Sequence, residues 1–411
     1  PLLFVASYLA YNNSLADLMG YLRGFYELSL GYGVASVNGD TREMVLALFF
    51  FIAYLLLLAL HYQRDKKIFF IASTFFFPLL FAFKRGFVRH DTHVLTFFSL
   101  SFFVIALNVL FLDFSSAREH CKFLLPWRIL SSIFLLAYVG FYSMHSPVYF
   151  AGQFSLRSMR DILHVDQARK NAREMAQEYL RVDKLPDGLL HEIGTESIGI
   201  FPWEAAYAAA NKLTYAPFPV FQAYSAYTPY LDSLNAHYIN DSRRAPHFIL
   251  MEWKAIDGRH PLVDVPAMWL SMYRWYDVQD GREGLLLLRR RERERFRQLS
   301  FIEAKEFSRG DTIPIPSSDN PIVVKIFLKH TLLGHLGRVL YKVPEVAIEL
   351  FSASQLQSAF RVIPGTLQDG VWINHLPLGL EEMRSLMEAG FIRRKIDKIK
   401  LSGEGLRYYQ D

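Results

Sequence analysis

The sequence predicts a polytopic α-helical membrane region, then an extracytoplasmic α/β domain with a parallel sheet, then a C-terminal β-sandwich. Three observations carry that expectation. Four long apolar runs crowd the first third of the 411 residues. Strand-like and helix-like segments then alternate up to about residue 283, and beyond it short strands are separated by Gly, Pro and Asn turns. The implied divisions are a membrane region over 1–145, a juxtamembrane helical stalk over 146–183, an α/β domain over 184–283 and a sandwich over 284–411.

A spanning helix needs about 20 mainly apolar residues. The runs 44–61, 68–83, 94–112 and 129–144 approach that length, and the opening PLLFVASYLAY reads as the tail of an earlier span. Only 11 of the 45 Lys/Arg and 8 of the 40 Asp/Glu precede residue 146. So many apolar runs in so short a stretch disfavour the buried helices of a soluble core. The loops 61–67 and 113–128 each carry three basic residues, which assigns them to the inner side. Segments 12–43 and 84–93, and everything after 145, then face outward, periplasmic or extracellular, as in a protein of the bacterial inner membrane. Cys121, the one cysteine, falls on the reducing side and can form no intrachain disulfide. The chain begins at Pro1 without an initiator Met, which implies that further residues precede it.

The net charge of +5 is mild and the basic residues are interspersed with acidic ones, a pattern unlike a nucleic-acid surface. No GxGxxG or GxxxxGK[ST] motif occurs in the alternating region, so nothing there points to a nucleotide.

The stretch FKRGFVRHDTHVLTFF, residues 83–98, places Lys84, Arg85, Arg89 and His90 on the side where few basic residues are expected. Arg85 and Arg89 are four apart and would share a helix face. Two guanidiniums suit a lipid-carried diphosphate, because planar forks bind phosphate oxygens bidentately. The alternative is that these cations snorkel to headgroups. His90, Asp91 and His93 make half a metal-ligand set or an acid/base pair; no cofactor is predicted, and a divalent metal there is the lesser reading. Asp40, Asp17 and Asp91, in that order, are the candidate catalytic carboxylates. The segment 12–43 has an amphipathic helical pattern suited to lying along a membrane surface.

Past the charged helical stretch 154–183, ESIGIFPW, FPVFQAY and APHFILMEW read as strands. EAAYAAANKL, TPYLDSLNAHYIN and VPAMWLSMYRWY read as the helices between and after them. Ligands bind beyond the carboxyl ends of such strands. Those positions hold Trp203, Glu204, Gln222, Tyr224, Tyr227, Asp257 and Arg259, residue types suited to saccharides, whose apolar faces stack on aromatics while their hydroxyls bond polar groups. Packing of the sheet or docking on a membrane would also use these aromatics. RRRERERFR reads as a solvated strand pair, and after residue 284 only Leu380–Ala389 looks helical.

As an architecture, with FKRGFVRHDTHV as its most suggestive local piece, the chain resembles multispan bacterial envelope glycosyltransferases and O-antigen ligase- or polymerase-like proteins with a C-terminal extracytoplasmic domain. The resemblance implies transfer of a sugar from a polyprenyl-phosphate carrier to a glycan at the outer face of the inner membrane. Arg85 and Arg89, helped by Lys84 and His90, would stabilise the leaving phosphate, and an outer carboxylate would deprotonate the acceptor hydroxyl. The alternative is a non-catalytic, membrane-anchored envelope protein that binds lipid, polysaccharide or a partner subunit.

Overall fold

The computed structural model describes residues 2–11, 14–35, 39–115 and 164–410. The chain divides into two compact units, Ser36–Met175 and Pro1–Ala35 with Ala176–Asp411. Cys121, the run 129–144 and the first part of the expected stalk lie outside the described residues; the stalk's later part is the helix Val165–Val182.

In the first unit, α3 (Thr41–Arg64) is followed by α4 (Lys66–Ser73), α5 (Phe76–Val88) and α6 (Val94–Ser115); α1 (Leu2–Ala10) and α2 (Leu15–Gly31) belong to the other. Asp40 and Asp65 begin α3 and α4, each accepting a backbone N–H two residues on at 2.8 Å. Pro78 has no N–H to offer the carbonyl of Thr74, and the helical run breaks at Thr74–Phe75 between α4 and α5. Phe50, Phe51, Phe83, Phe87, Phe97 and Phe98 interlock, mostly edge to face, where α3, α5 and α6 meet. The Tyr54 hydroxyl donates to the Ala72 carbonyl at 2.7 Å, tying α3 to α4.

This geometry corrects the polytopic expectation. Among the described residues two helices are long and apolar enough to cross a membrane, Thr41–Arg64 and the interrupted run Lys66–Val88. Among the described residues α6 offers a shorter apolar stretch, Val94–Asn108. The nine residues of α1 are shorter again. Of the four apolar runs in the sequence, the first two correspond to helices of spanning length among the described residues.

The second unit is built on a five-stranded sheet in the order β2-β1-β3-β5-β4, with β1 (Ser197–Phe201), β2 (Thr214–Tyr215), β3 (Phe248–Glu252), β4 (Tyr276–Arg282) and β5 (Leu285–Arg290). Strands β1, β2 and β3 are parallel, while β5 runs antiparallel to β3 and to β4. Side chains alternate between faces. Ile249, Met251, Leu286 and Leu288 pack against the helices Pro229–Asn240, Pro266–Trp275 and Leu380–Ala389. Phe248, Leu250, Leu285 and Leu287 meet Leu189, Ile193 and Ala208 on the other face. Burial on both faces explains the unbroken apolar run FILM. Asp232, buried on the first of those helices, begins the second by accepting from the Ala267 and Met268 N–H groups at 2.8 and 3.0 Å.

The β-sandwich expectation is corrected as well. The hairpin β4–β5 turns through Glu283 and Gly284, both at positive φ, and adds to the first sheet, making it mixed. Beyond the hairpin lie a four-stranded antiparallel sheet, β6-β11-β8-β9 (Thr312–Pro314, Lys398–Ser402, Ala347–Ser352 and Gln355–Arg361), and a separate pair of β7 (Val323–Val324) with β10 (Val371–Trp372). Their shared core gathers Ile348, Leu350, Val371, Ile373, Ile399 and Leu401. Turn residues and short alternating runs predict antiparallel pairs, but they do not say which sheet a hairpin joins. FPVFQAY forms a single 3-10 turn at Ala223–Ser225 rather than a strand, RRRERERFR is not a strand pair, and Leu332–Leu340 is a helix.

His260 seats the two parts of this unit on one another. Its fully buried ring shares a hydrogen bond with the Pro377 carbonyl at 2.7 Å, and its other nitrogen accepts from the Leu262 N–H at 3.2 Å. Burial, partly offset by the Pro377 carbonyl, pushes its pKa down to about 4. The unfolded chain, near 6.5, therefore takes up the proton first as pH falls. Stability should drop by about 3 kcal/mol between pH 6.5 and pH 4 on this account alone, read as a falling urea midpoint that flattens in His260→Gln. An equally steep fall in that variant would contradict the assignment.

Candidate functional site

In the Ser36–Met175 unit the predicted basic loop follows the end of α5. The helix stops at Val88, and Arg89 has left helical geometry, so Arg85 and Arg89 do not lie on one continuous helix face. Arg85 is exposed, Lys84 is half-buried, and the Arg89 Nε donates to Asp91 Oδ2 at 3.0 Å. Asp91 Oδ1 accepts the His93 backbone N–H at 3.0 Å and pairs with the His93 ring. Burial raises the Asp91 pKa, but the His93 backbone and ring and the Arg89 guanidinium together hold it below the usual carboxylate range. His90 is buried under Phe87 and shares a 2.7 Å hydrogen bond with Glu43 in the first turn of α3. Sequence reading passed over Glu43, whose only signal is its place three residues after a helix cap. Gly39 and Gly86 allow the close packing here: a Cβ on Gly39 would lie 2.4 Å from the His90 ring, and one on Gly86 3.1 Å from the His93 carbonyl.

The other two candidate carboxylates serve as helix caps. Asp40 holds the Arg42 N–H at the start of α3. Asp17 completes a capping box with Ser14 at the start of α2, accepting the Ser14 N–H and hydroxyl at 3.0 and 2.6 Å. The Ser14 hydroxyl and backbone hold its pKa below the usual range, which makes it a weak base. No group of three or more His, Cys, Asp or Glu is placed to hold a metal ion among the described residues, so His90, Asp91 and His93 do not make that site.

In the larger unit the residues expected to meet saccharide divide into two sets. Trp203 and Tyr224 pack edge to face at 5.1 Å, and Glu204 lies 3.6 Å from the Lys254 ammonium, which also pairs with Glu252 at 2.8 Å. Half-buried Gln222 leads into the 3-10 turn. Tyr227, Asp257 and Arg259 lie towards the second sheet. Asp257, at φ 57, and Gly258 turn the chain so that Gly258 accepts the Arg361 N–H at 3.0 Å. The buried Arg259 donates to the Tyr224 carbonyl at 3.2 Å and sits 3.5 Å from Asp264, with its guanidinium over the Tyr227 ring. Burial pushes the Asp264 carboxyl up against the opposing pull of Arg259 and Arg361.

Beside this cluster opens a cleft of about 110 Å³. Its walls include Tyr227, Tyr409, His330, Arg338, Glu345 and Arg361, and its rim includes Gly31 at the end of α2. A Cβ on Gly31 would lie 2.4 Å from that of Tyr227, and Arg23 of α2 stacks over Tyr230 at 3.9 Å, so glycine and a cation–π contact seat α2 here. The buried Arg361 is 3.4 Å from Glu345. Burial lowers the Arg361 pKa while Glu345 opposes it; a guanidinium so lowered is still a cation at neutral pH. His330 stacks on Tyr409 at 4.4 Å, and burial, Arg338 and His335 push its pKa down, so the arginines supply the cleft's positive charge.

No protein-family model matches this chain, and neither a curated protein nor a solved structure is detectably similar to it. The chemistry must therefore be read from the residues. The cleft offers guanidiniums and tyrosine faces; the loop before α6 offers two carboxylate–imidazole pairs. Of the cleft residues, sequence reasoning singled out Tyr227 alone. Arg338, Glu345, Arg361 and Tyr409 carry no motif, and only folding brings them to Tyr227.

Proposed function

We propose that this chain is a membrane-associated binding protein whose larger unit takes an acidic or phosphorylated saccharide in the Arg361–Tyr227–Tyr409 cleft. The observation that carries the reading is the pairing of buried guanidinium with aromatic walls in one cleft. A guanidinium fork fits phosphate or carboxylate, and tyrosine faces fit a sugar ring. The volume suits a small group: an engineered cavity of about 150 Å³ holds benzene, so one anionic group with part of a ring is the expected load. Thr41–Arg64 and Lys66–Val88, long and apolar enough to cross a membrane, would keep the protein at a bilayer, with the binding unit on its outer side. Calorimetric titration of the detergent-solubilised chain should give saturable binding of glucose 1-phosphate or glucuronate and none of glucose. Equal affinity for the neutral sugar, or no binding of any of the three, would exclude this reading.

A second reading is sugar transfer from a polyprenyl-phosphate donor to a glycan, favoured by the Asp91–His93 and Glu43–His90 pairs beside Lys84 and exposed Arg85. A paired imidazole can accept a hydroxyl proton while a cation meets the leaving phosphate. The same preparation given a radiolabelled polyprenyl-diphosphate sugar separates the two. With a glycan acceptor added, label passed from donor to glycan and lost in His93→Ala and Arg85→Ala would identify a transferase; donor left intact leaves a binding protein.

A further inference from the structure

We propose that the outward face of the Leu332–Leu340 helix, together with the chain that leads into it from Lys325, docks on an anionic lipid surface. Surface helices normally turn their apolar stripe to the core. This one is reversed. Thr331 begins it, its hydroxyl accepting the Gly334 N–H and donating to the Tyr408 carbonyl, each at 3.1 Å. Glycines form the side turned to the body of the unit: a Cβ on Gly334 would lie 2.2 Å from the Tyr408 carbonyl oxygen, and one on Gly337 3.6 Å from its ring. The helix therefore rests on Tyr408 through its backbone. Three of its leucines are left outside, with Leu332 78% exposed and Leu333 and Leu336 exposed beside it.

The approach to the helix repeats the pattern at strand period. Lys325, Phe327 and Lys329 point outward, Phe327 at 69% exposure, while Ile326 and Leu328 pack on the core of the second sheet. The result is an apolar patch of Phe327, Leu332, Leu333 and Leu336 flanked by lysines. Patches of this kind mark contact surfaces. Charge selects the partner: Lys325 and Lys329 are exposed beside the patch, and between Pro321 and Pro344 the sequence has no Asp or Glu. A second copy of the chain would set this basic stretch against itself across a two-fold axis. An anionic bilayer instead offers hydrocarbon for the leucines and phosphate for the lysines. The α2 helix, in the same unit, also leaves Leu15, Met19, Leu22 and Tyr26 exposed along one stripe, and the chain carries two helices of membrane length. Burial pushes the Asp369 carboxyl up to about 6 against the pull of Lys325. Lys325 thus already faces an acid of this chain, and Lys329 is the cation to test.

The inference uses those two helices but not the ligand assigned to the cleft. Full-length Cys121→Ser protein carrying Leu333→Cys, labelled with an environment-sensitive fluorophore, would be placed in nanodiscs of phosphatidylglycerol or of phosphatidylcholine and quenched with iodide. Quenching is expected to fall about threefold in phosphatidylglycerol relative to phosphatidylcholine, with most of that protection removed by Lys329→Glu. Equal quenching in both lipids, including equal protection by another part of the chain, would overturn the proposal. So would protection that Lys329→Glu leaves intact. Saccharide titration of the same samples separates this outcome from failure of the cleft reading, and a chain that enters neither nanodisc refutes membrane association itself.

Discussion

Replacing Arg295 with alanine should destabilise the larger unit by about 3 kcal/mol, more than any other substitution in RRRERERFR. The Arg295 guanidinium donates to the Tyr273, Tyr276 and Met387 carbonyls at 3.0, 3.0 and 2.8 Å. It also pairs with Asp277 at 2.7 Å and lies 4.3 Å from the centre of the Tyr273 ring. One side chain thus joins the end of the Pro266–Trp275 helix, the start of β4 and the Leu380–Ala389 helix. Alanine leaves three carbonyls without their donor, each a cost of about 1 kcal/mol, and removes a cation–π contact as well. Lysine should restore little, because an ammonium cannot reach carbonyls on several sides in one plane. Arg293 is the control: its side chain makes no such set of contacts, and Arg293→Ala should shift the urea midpoint by less than about 0.5 kcal/mol. Equal midpoints for Arg295→Ala and Arg293→Ala would contradict this account.

Arg295 also shows what the sequence conceals. The alternation of Arg and Glu in 289–297 has the period of a strand, yet the chain leaves β5 at Arg290, and Arg290, Arg291 and Arg295 turn back to backbone carbonyls and to Asp277. Periodicity reports which residues could share a face and is silent about long side chains that reach across elements. Where burial alone decides, the reading holds: APHFILMEW contains β3, and TPYLDSLNAHYIN and VPAMWLSMYRWY contain the helices Pro229–Asn240 and Pro266–Trp275. The helix Leu332–Leu340 was hidden for the opposite reason, since Leu332, Leu333 and Leu336 face outward and its glycines inward, which inverts the usual pattern. Among site residues, the charge of the loop before α6 was legible. The pairing of Arg89 with Asp91, at the end of α5, had no signature in residue spacing.

Arg361→Gln should weaken binding of an acidic saccharide by about 100-fold, or roughly 2.8 kcal/mol at 1.4 kcal/mol per factor of ten. Arg361 is buried at the end of β9, its backbone held by Gly258 and its side chain beside Glu345. A charge already desolvated by the fold costs the ligand little further dehydration, so its loss falls almost wholly on the complex. Lysine should recover only part of the affinity because it offers one point charge where a fork meets two oxygens. Since Arg361→Gln also removes a partner of Glu345, altered folding is an alternative cause of weak binding, and Glu345→Gln distinguishes the two. That substitution leaves Arg361 in place and removes the carboxylate that competes with the ligand for it. Affinity should then rise, by about tenfold, and the gain should shrink at high salt. Weaker binding in both variants would mean that the pair only shapes the cleft; opposite shifts would place the ligand's anion on Arg361.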